Sequence, residues 1–308
     1  MSDLDPTAKP RVITFWRAVS ALTLLAAIPL GAIAGRTVHN AREMLHPLRE
    51  PITSAQRVRA HELLPNLLDI ELHTADGLVL QGWFASGPKR DGIVLVHGLG
   101  GNRASLLAEA ALLARRGHGV LLYDSRASGE SPGKLATWGD QEQHDVRAAL
   151  DFLSARAEVD SKELGVYGFS VGSTAVVMEA AGDLRVRVIG LGPLWPSLDD
   201  ELADKFSKWG RYSRFIARRV FLRAGVDVDA LDARAAVAKL PPRPVLFISG
   251  DEDHDTPPAE MRADQAIDPA ATLAFLAGAG HGNYAAIDPV ELDRYLGGFF
   301  DTNLGVAK

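Results

Sequence analysis

From residue 93 onward, short apolar runs alternate with stretches patterned as helices, and this rhythm narrows the possible folds more than any other feature of the chain. Ile93 to His97 is followed by Ala104 to Arg116, Gly119 to Tyr123 by Gln141 to Ala157, and Leu164 to Phe169 by Val171 to Ala181. Further β-rich runs come at Val186 to Leu191, Pro244 to Ser249 and Thr272 to Leu276. A helix between two such strands returns the chain to the same end of the sheet, so the strands pair in parallel. The expected fold class is α/β, a doubly wound, mostly parallel sheet. Upstream, Asp69 to His73 and Leu78 to Phe84 are joined across Ala75-Asp76-Gly77, a tight-turn signal that predicts an antiparallel hairpin at the sheet edge.

The rhythm stops between Gly192 and Pro241, where helical patterning replaces strands. An insertion here, at about residues 193–241, is expected to form a small helical cap above the carboxyl ends of the strands, where open α/β sheets bind ligands. Leu202, Phe206, Trp209, Ile216 and Val220 recur at spacings that place them on one side of a helix, with Gly210 as a potential break. Lys205, Lys208, Arg211, Arg214, Arg218, Arg219 and Arg223 follow one another with no acidic residue between them, in a chain whose net charge is −6. Two readings of these cations stand side by side: they are solvated while the apolar side packs on the core, or they rest on anionic lipid.

The first 45 residues differ in kind. Ala18 to Gly35 carries no charge and is flanked by Lys9, Arg11 and Arg17 before it and by Arg36 and Arg42 after it. That is about the shortest run able to span a bilayer as a helix. An uncleaved membrane anchor is the leading expectation for residues 1–45, with the catalytic domain on the extracytoplasmic side, although the balanced basic residues set no orientation by themselves. A signal peptide cleaved after Ala32-Ile33-Ala34, releasing a secreted protein, and a buried soluble helix are the alternatives. Residues 46–65 read as a linker with one short helix from Ser54 to Leu63. The globular domain, 66–308, is expected to need nothing from residues 1–45.

With 47% hydrophobic and 23% charged residues the chain can bury one large core. The absence of cysteine excludes disulfides, thiolate catalysis and cysteine metal sites. The acidic balance argues against nucleic acid as a partner.

Gly168-Phe169-Ser170-Val171-Gly172 fits G-x-S-x-G between a strand and a helix, the context in which the glycines allow a turn sharp enough to expose the serine oxygen above the sheet. A serine hydroxyl needs a base within hydrogen-bond reach and a third group to orient that base. Downstream of Ser170 only His254 and His281 are available. His281 lies in the glycine-rich loop after the last strand, whereas His254 reads as a solvent-facing neighbour of the acid. The acid comes from the segment Asp251 to Asp255, directly after the strand Pro244 to Ser249. Two backbone N–H donors are needed for the oxyanion of a tetrahedral intermediate. Val171 is expected to supply one and Leu99, in His97-Gly98-Leu99-Gly100-Gly101-Asn102, the other. His97 reads as a structural residue holding that loop.

Val94 to Gly101, Tyr123 to Ser131, Gly168 to Gly172, Ser249 to Pro257 and Gly280 to Gly282 resemble the motifs of the α/β-hydrolase family, in particular its bacterial membrane-anchored serine hydrolases with a short helical cap. The resemblance covers about residues 66 to 300. It maps the acid onto Asp253, three residues after the glycine that ends its strand, and makes Asp124 and Arg126 scaffold residues. Ala127 stands where the family has a glycine. The function implied is hydrolysis of an ester or thioester of a small-molecule acyl substrate through an acyl-enzyme, with no metal or nucleotide cofactor. An acyltransferase or peptidase on the same fold, and a catalytically silent scaffold that binds an acyl ligand or a partner, are the alternatives.

Overall fold

The computed structural model describes residues 11–305, with the side chains of residues 11–19 and 21–26 outside that description. The chain opens with helix α1 (Arg11–Leu45) and a short helix α2 (Ser54–Leu63), the latter begun by a capping box in which Thr53 and Gln56 satisfy each other's backbone N–H groups. Eight strands follow: β1 (Leu68–His73), β2 (Val79–Ala85), β3 (Gly92–Val96), β4 (Val120–Tyr123), β5 (Leu164–Gly168), β6 (Val186–Leu191), β7 (Val245–Gly250) and β8 (Thr272–Leu276). They form one sheet in the order β1-β2-β4-β3-β5-β6-β7-β8. The β1–β2 hairpin joins the edge antiparallel to β4, and every pairing from β4 to β8 is parallel. The doubly wound, mostly parallel sheet read from the alternation is the sheet observed.

The apolar runs have no polar alternation because both faces of the sheet are covered. Val94 and Val96 of β3 point into a core shared with α4 (Glu142–Ser154) and α5 (Val171–Ala180). Ile93 and Leu95 point the other way, into a core shared with α3 (Leu107–Arg115) and the C-terminal helical turns. The helices after β3 and β5 therefore lie on opposite faces although their strands are neighbours. Between such diverging helices the carboxyl ends of the strands are left open as a crevice.

Between β6 and β7 the chain forms α6 (Leu198–Lys205), a 3₁₀ turn at Ser207–Trp209, α7 (Gly210–Arg223) and α8 (Ala233–Ala238). Gly210, at φ +63°, is where the path breaks. The break changes the expected apolar side: Leu202 and Phe206 are buried, but Trp209 is half exposed. It is joined at the surface by Tyr212, Phe215 and Leu222.

A third core, formed by this insert, includes residues of α1. Ala41 and Leu45 are buried with Trp138, Leu198, Leu202, Phe206, Ala217 and Phe221. The Thr37 and Ser213 hydroxyls lie 2.6 Å apart, and the Trp138 indole N–H donates to the Met44 carbonyl at 3.0 Å. This corrects the expectation that the folded domain needs nothing from residues 1–45, because the last turns of α1 are part of the insert's packing. Among the described residues no helix is long and apolar enough to cross a membrane. Much of the expected spanning run, Ala18 to Gly35, falls on side chains outside the described ones.

Candidate active site

Ser170 stands between β5 and α5 with φ +57° and ψ −125°, a backbone conformation that L-residues rarely adopt. The surroundings explain how it is held. A β-carbon at Gly168 would meet the backbone of Gly172 and Ser173, and one at Gly172 would run into the carbonyl oxygens of Val96 and His97. The elbow is thus pressed against the end of β3, and the strain at Ser170 turns its side chain out of the sheet.

The His281 imidazole comes from the loop after β8. Its Nε2 lies 3.1 Å from Ser170 Oγ and its Nδ1 lies 2.9 Å from Asp253 Oδ2. Asp253, in the loop after β7, is buried, and its Oδ1 accepts the backbone N–H groups of Asp255 at 2.9 Å and Thr256 at 2.8 Å. Burial by itself would push this carboxyl up, but the His281 hydrogen bond and the two backbone N–H groups outweigh it and hold the carboxyl below its ordinary range. A charged Asp253 fixes the proton of the neutral ring on Nδ1 and leaves Nε2 free to take one from the serine.

The neighbouring acids are elsewhere. Asp251 is exposed, with its Oδ1 accepting the Gly278 N–H at 2.7 Å, and Asp255 and His254 face solvent. Of the carboxylates in this loop, the structure brings Asp253 alone to His281.

The Val171 N–H opens α5, so it has no partner inside its own helix. Leu99 lies in the loop after β3, and Gly98 before it is so close to the elbow that a β-carbon there would sit 3.1 Å from Ser170 Cβ. His97 anchors this loop: Nδ1–H donates to the Gly98 carbonyl at 2.7 Å and Nε2 accepts the Ser125 N–H at 3.1 Å. Burial holds its pKa below the ordinary imidazole value, so it is a neutral spacer rather than a proton carrier.

The scaffold reading of Asp124 and Arg126 is visible in their contacts. Buried Asp124 pairs with Arg103 and accepts the N–H groups of Arg103 at 2.6 Å and Glu130 at 2.8 Å. Arg126 is clamped between Asp145 and Asp76, at 2.6 Å and 2.8 Å. Ala127 adopts φ +58°, the left-handed geometry for which a glycine would be the easier occupant.

The alpha/beta hydrolase family model matches residues 93–293, which include the elbow, the acid loop and the histidine loop. The chain belongs to this family. Within it, a polyketide transferase of Stachybotrys chlorohalonatus is 33% identical over 125 residues, 39% of this chain and 42% of that protein. A thiohydrolase of Arthrinium phaeospermum is 32% identical over 124 residues, 39% of this chain and 40% of its own length. The chain spans about half the length, or less, of curated relatives such as these. Among solved structures, an esterase of Pyrococcus furiosus superposes with a TM-score of 0.68 at 22% identity, over 85% of this chain and 98% of that one. At that identity the likeness is one of fold.

Other residues of this alpha/beta hydrolase adjoin His281 without belonging to any of the sequence motifs. The His281 ring lies between Phe169, at 5.2 Å between centroids, and Trp195, at 6.0 Å. Trp195 in turn leans on Trp138 at 5.7 Å. Trp195 belongs to the insert, where apolar patterning marks helices but not which aromatic turns toward the histidine. Glu109 on α3 lines the same crevice and lies outside every motif. It had a readable signal, being an acid at a position that falls in an apolar stripe with Leu106, Ala110 and Leu113.

Proposed function

We propose that the protein is a serine hydrolase cleaving an ester or thioester through an acyl-enzyme, with Ser170 as nucleophile, His281 as general base and Asp253 as the orienting acid. The observation that carries this reading is the continuous relay from Ser170 Oγ through both nitrogens of His281 to a carboxylate held charged. In the first half-reaction Ser170 Oγ bonds to the acyl carbon while His281 Nε2 takes its proton. The resulting oxyanion is received by the N–H groups of Val171 and Leu99. The bond to the leaving oxygen or sulfur then breaks, and His281 passes its proton to the departing group. Water repeats the sequence on the acyl-enzyme, its proton going to His281 and then back to Ser170.

The named activities of the relatives support acyl chemistry of this kind: a thiohydrolase transfers the acyl group to water, and a polyketide transferase to another acceptor. An acyltransferase is therefore the second reading. It shares every step up to the acyl-enzyme and differs only in what attacks it. Fluorophosphonate labelling of the full chain tests the common part. Labelling of the wild type and none of Ser170→Ala, with turnover of p-nitrophenyl butyrate lost in parallel, is the expected outcome. Labelling that persists in a folded Ser170→Ala would move the nucleophile elsewhere and end the proposal.

A membrane location is part of the same reading. It is supported by the uncharged run Ala18 to Gly35 and by the half-exposed Trp209 and Tyr212 with Phe215 on the insert, beside Lys208, Arg211, Arg219 and Arg223, which form no ion pair among the described residues. Arg214 and Arg218 are different, being paired with Asp199, and Arg218 with Asp229 as well. Aromatic rings and free cations together suit the interface of an anionic bilayer. Protein truncated before Arg36, which keeps Ala41 and Leu45, is expected to bind anionic vesicles at low salt. Equal binding to neutral vesicles, or no loss when Arg211 and Arg219 become Glu, would remove the lipid-surface contact.

A further inference from the structure

A cavity of about 230 Å³ adjoins the relay, bounded by Gly98, Leu99, Phe169, His281, Tyr284 and Glu109. Glu109 is 7% exposed, and its carboxyl forms no ion pair and no hydrogen bond with another side chain among the described residues. Only its own backbone N–H lies close enough to offset burial, which pushes the carboxyl up to about 7. The other titratable groups around it are the phenols of Tyr167, on β5, and Tyr284, and the His281 ring across the cavity. The phenols carry no positive charge, and both nitrogens of the His281 ring are engaged by Asp253 and Ser170. The Tyr167 hydroxyl is itself buried without a partner. A buried acid with no counter-ion is destabilising in the empty protein and gains most from a ligand that brings a donor.

The side of the reaction follows from His281. The proton it takes from Ser170 must reach the leaving atom, so the leaving group departs on the histidine's side, and this cavity is walled by His281 and by the Leu99 loop. Resting on the hydrolase reading above, we propose that the cavity is the leaving-group subsite and that Glu109 recognises a hydrogen-bond donor, a hydroxyl or an ammonium, carried by the alcohol portion of the ester. Leu99, Leu106 and Phe169 form its apolar wall, and Glu109 is the polar point that selects among alcohols of one size.

Four butyrate esters matched in shape test this: propyl against 2-hydroxyethyl, and 3-methylbutyl against 2-(dimethylamino)ethyl. The ratio of kcat/KM within each pair is read separately in each protein, so a general loss of activity cancels. In the wild type a donor ester is expected to exceed its carbon isostere by about tenfold, the discrimination given by one hydrogen bond to an otherwise unpaired buried carboxyl. Glu109→Leu brings the ratio to about one. Glu109→Gln separates the two donors, retaining a hydroxyl preference through its amide oxygen and losing an ammonium preference with the charge. Because Leu removes an unpaired buried acid, Glu109→Leu is also expected to melt at a higher temperature than the wild type. Ratios near one for both pairs in the wild type overturn the subsite. So does an unchanged ratio in Glu109→Leu, which with a lowered melting temperature would identify the carboxyl as structural. Absence of turnover of all four esters and of p-nitrophenyl butyrate overturns the hydrolase reading instead, and the subsite with it.

Discussion

In the loop after β7, the Asp253 carboxyl is surrounded by donors: His281 on one oxygen, the N–H groups of Asp255 and Thr256 on the other. On α3 Glu109 is also buried, at the wall of the cavity, and only its own backbone N–H offsets the burial of its carboxyl. Burial pushes both toward the neutral acid, yet Asp253 lies below its ordinary range while Glu109 rises to about 7. The charge of each acid follows from desolvation set against the donors aimed at it, and the donors prevail only at Asp253. The two regions thereby suit opposite tasks. In the proposed mechanism a carboxyl held below its ordinary range suits Asp253 to orienting the imidazole, whereas Glu109, without a partner side chain, suits a contact with substrate.

The comparison breaks most visibly at Asp253. Asp253→Asn keeps the shape but presents an amide to Nδ1, favouring the tautomer whose proton sits on the wrong nitrogen, and kcat for p-nitrophenyl butyrate is expected to fall by about 10³- to 10⁴-fold. A loss of less than tenfold, with the fold intact by circular dichroism, would mean that the donors around Asp253 serve the loop and not the histidine.

A smaller effect separates the two acids by pH. Glu109 has an ordinary value of 4.5 when unfolded and about 7 in the folded protein. The folded state therefore binds more protons between these limits, and its stability falls as pH rises through that window. The loss amounts to on the order of 3 kcal/mol, most of it incurred by about pH 7 and the rest within about one unit above. Asp253 has the opposite sign. Its contribution is present above an ordinary value of 3.8 and is lost only as pH falls through the lower folded value. Urea unfolding from pH 4 to 8 is expected to show Glu109→Gln gaining on the wild type across 4.5 to 7 and levelling off above. Parallel curves over that range would show that Glu109 finds a partner in solution.

The smallest changes are expected two residues to either side of Asp253. Asp251→Asn weakens the bond to the Gly278 N–H at an exposed site, which is worth about 1 kcal/mol of stability, and Asp255→Asn removes a solvent-facing charge, worth about 0.5 kcal/mol or less. Both variants are expected to keep most of their turnover. If Asp251→Asn lowers kcat more than Asp253→Asn, the orienting role belongs two positions earlier than the geometry indicates.

Much of this molecule is legible in its one-dimensional pattern. The strands at Val186 to Leu191 and Thr272 to Leu276 and the helix from Ser54 to Leu63 begin and end where the residue pattern places them. Ser170 and His281 are marked by their loops. These features are local: a strand covered on both faces needs an unbroken apolar run, and an elbow pressed against a neighbouring strand needs glycines at Gly168 and Gly172. Which of the clustered carboxylates meets His281 could not come from composition, because Asp251, Asp253 and Asp255 differ only in the direction the turn gives them. The turn buries one and leaves its neighbours in water.

The same limit explains what else only the tertiary structure decided. Residues 36–45 read as the basic flank that closes the anchor segment, yet Ala41 and Leu45 complete the insert's core, since a helix surface shows what it can bury and not against what. Trp195 is one of five tryptophans until the chain path turns it to His281. Glu109 is one acid in an apolar stripe until the surrounding walls are shown to hold no cation. Local backbone preference and hydrophobic period are written into consecutive residues. The partner of a buried charge is a residue distant in sequence, and only the packed chain supplies or withholds it.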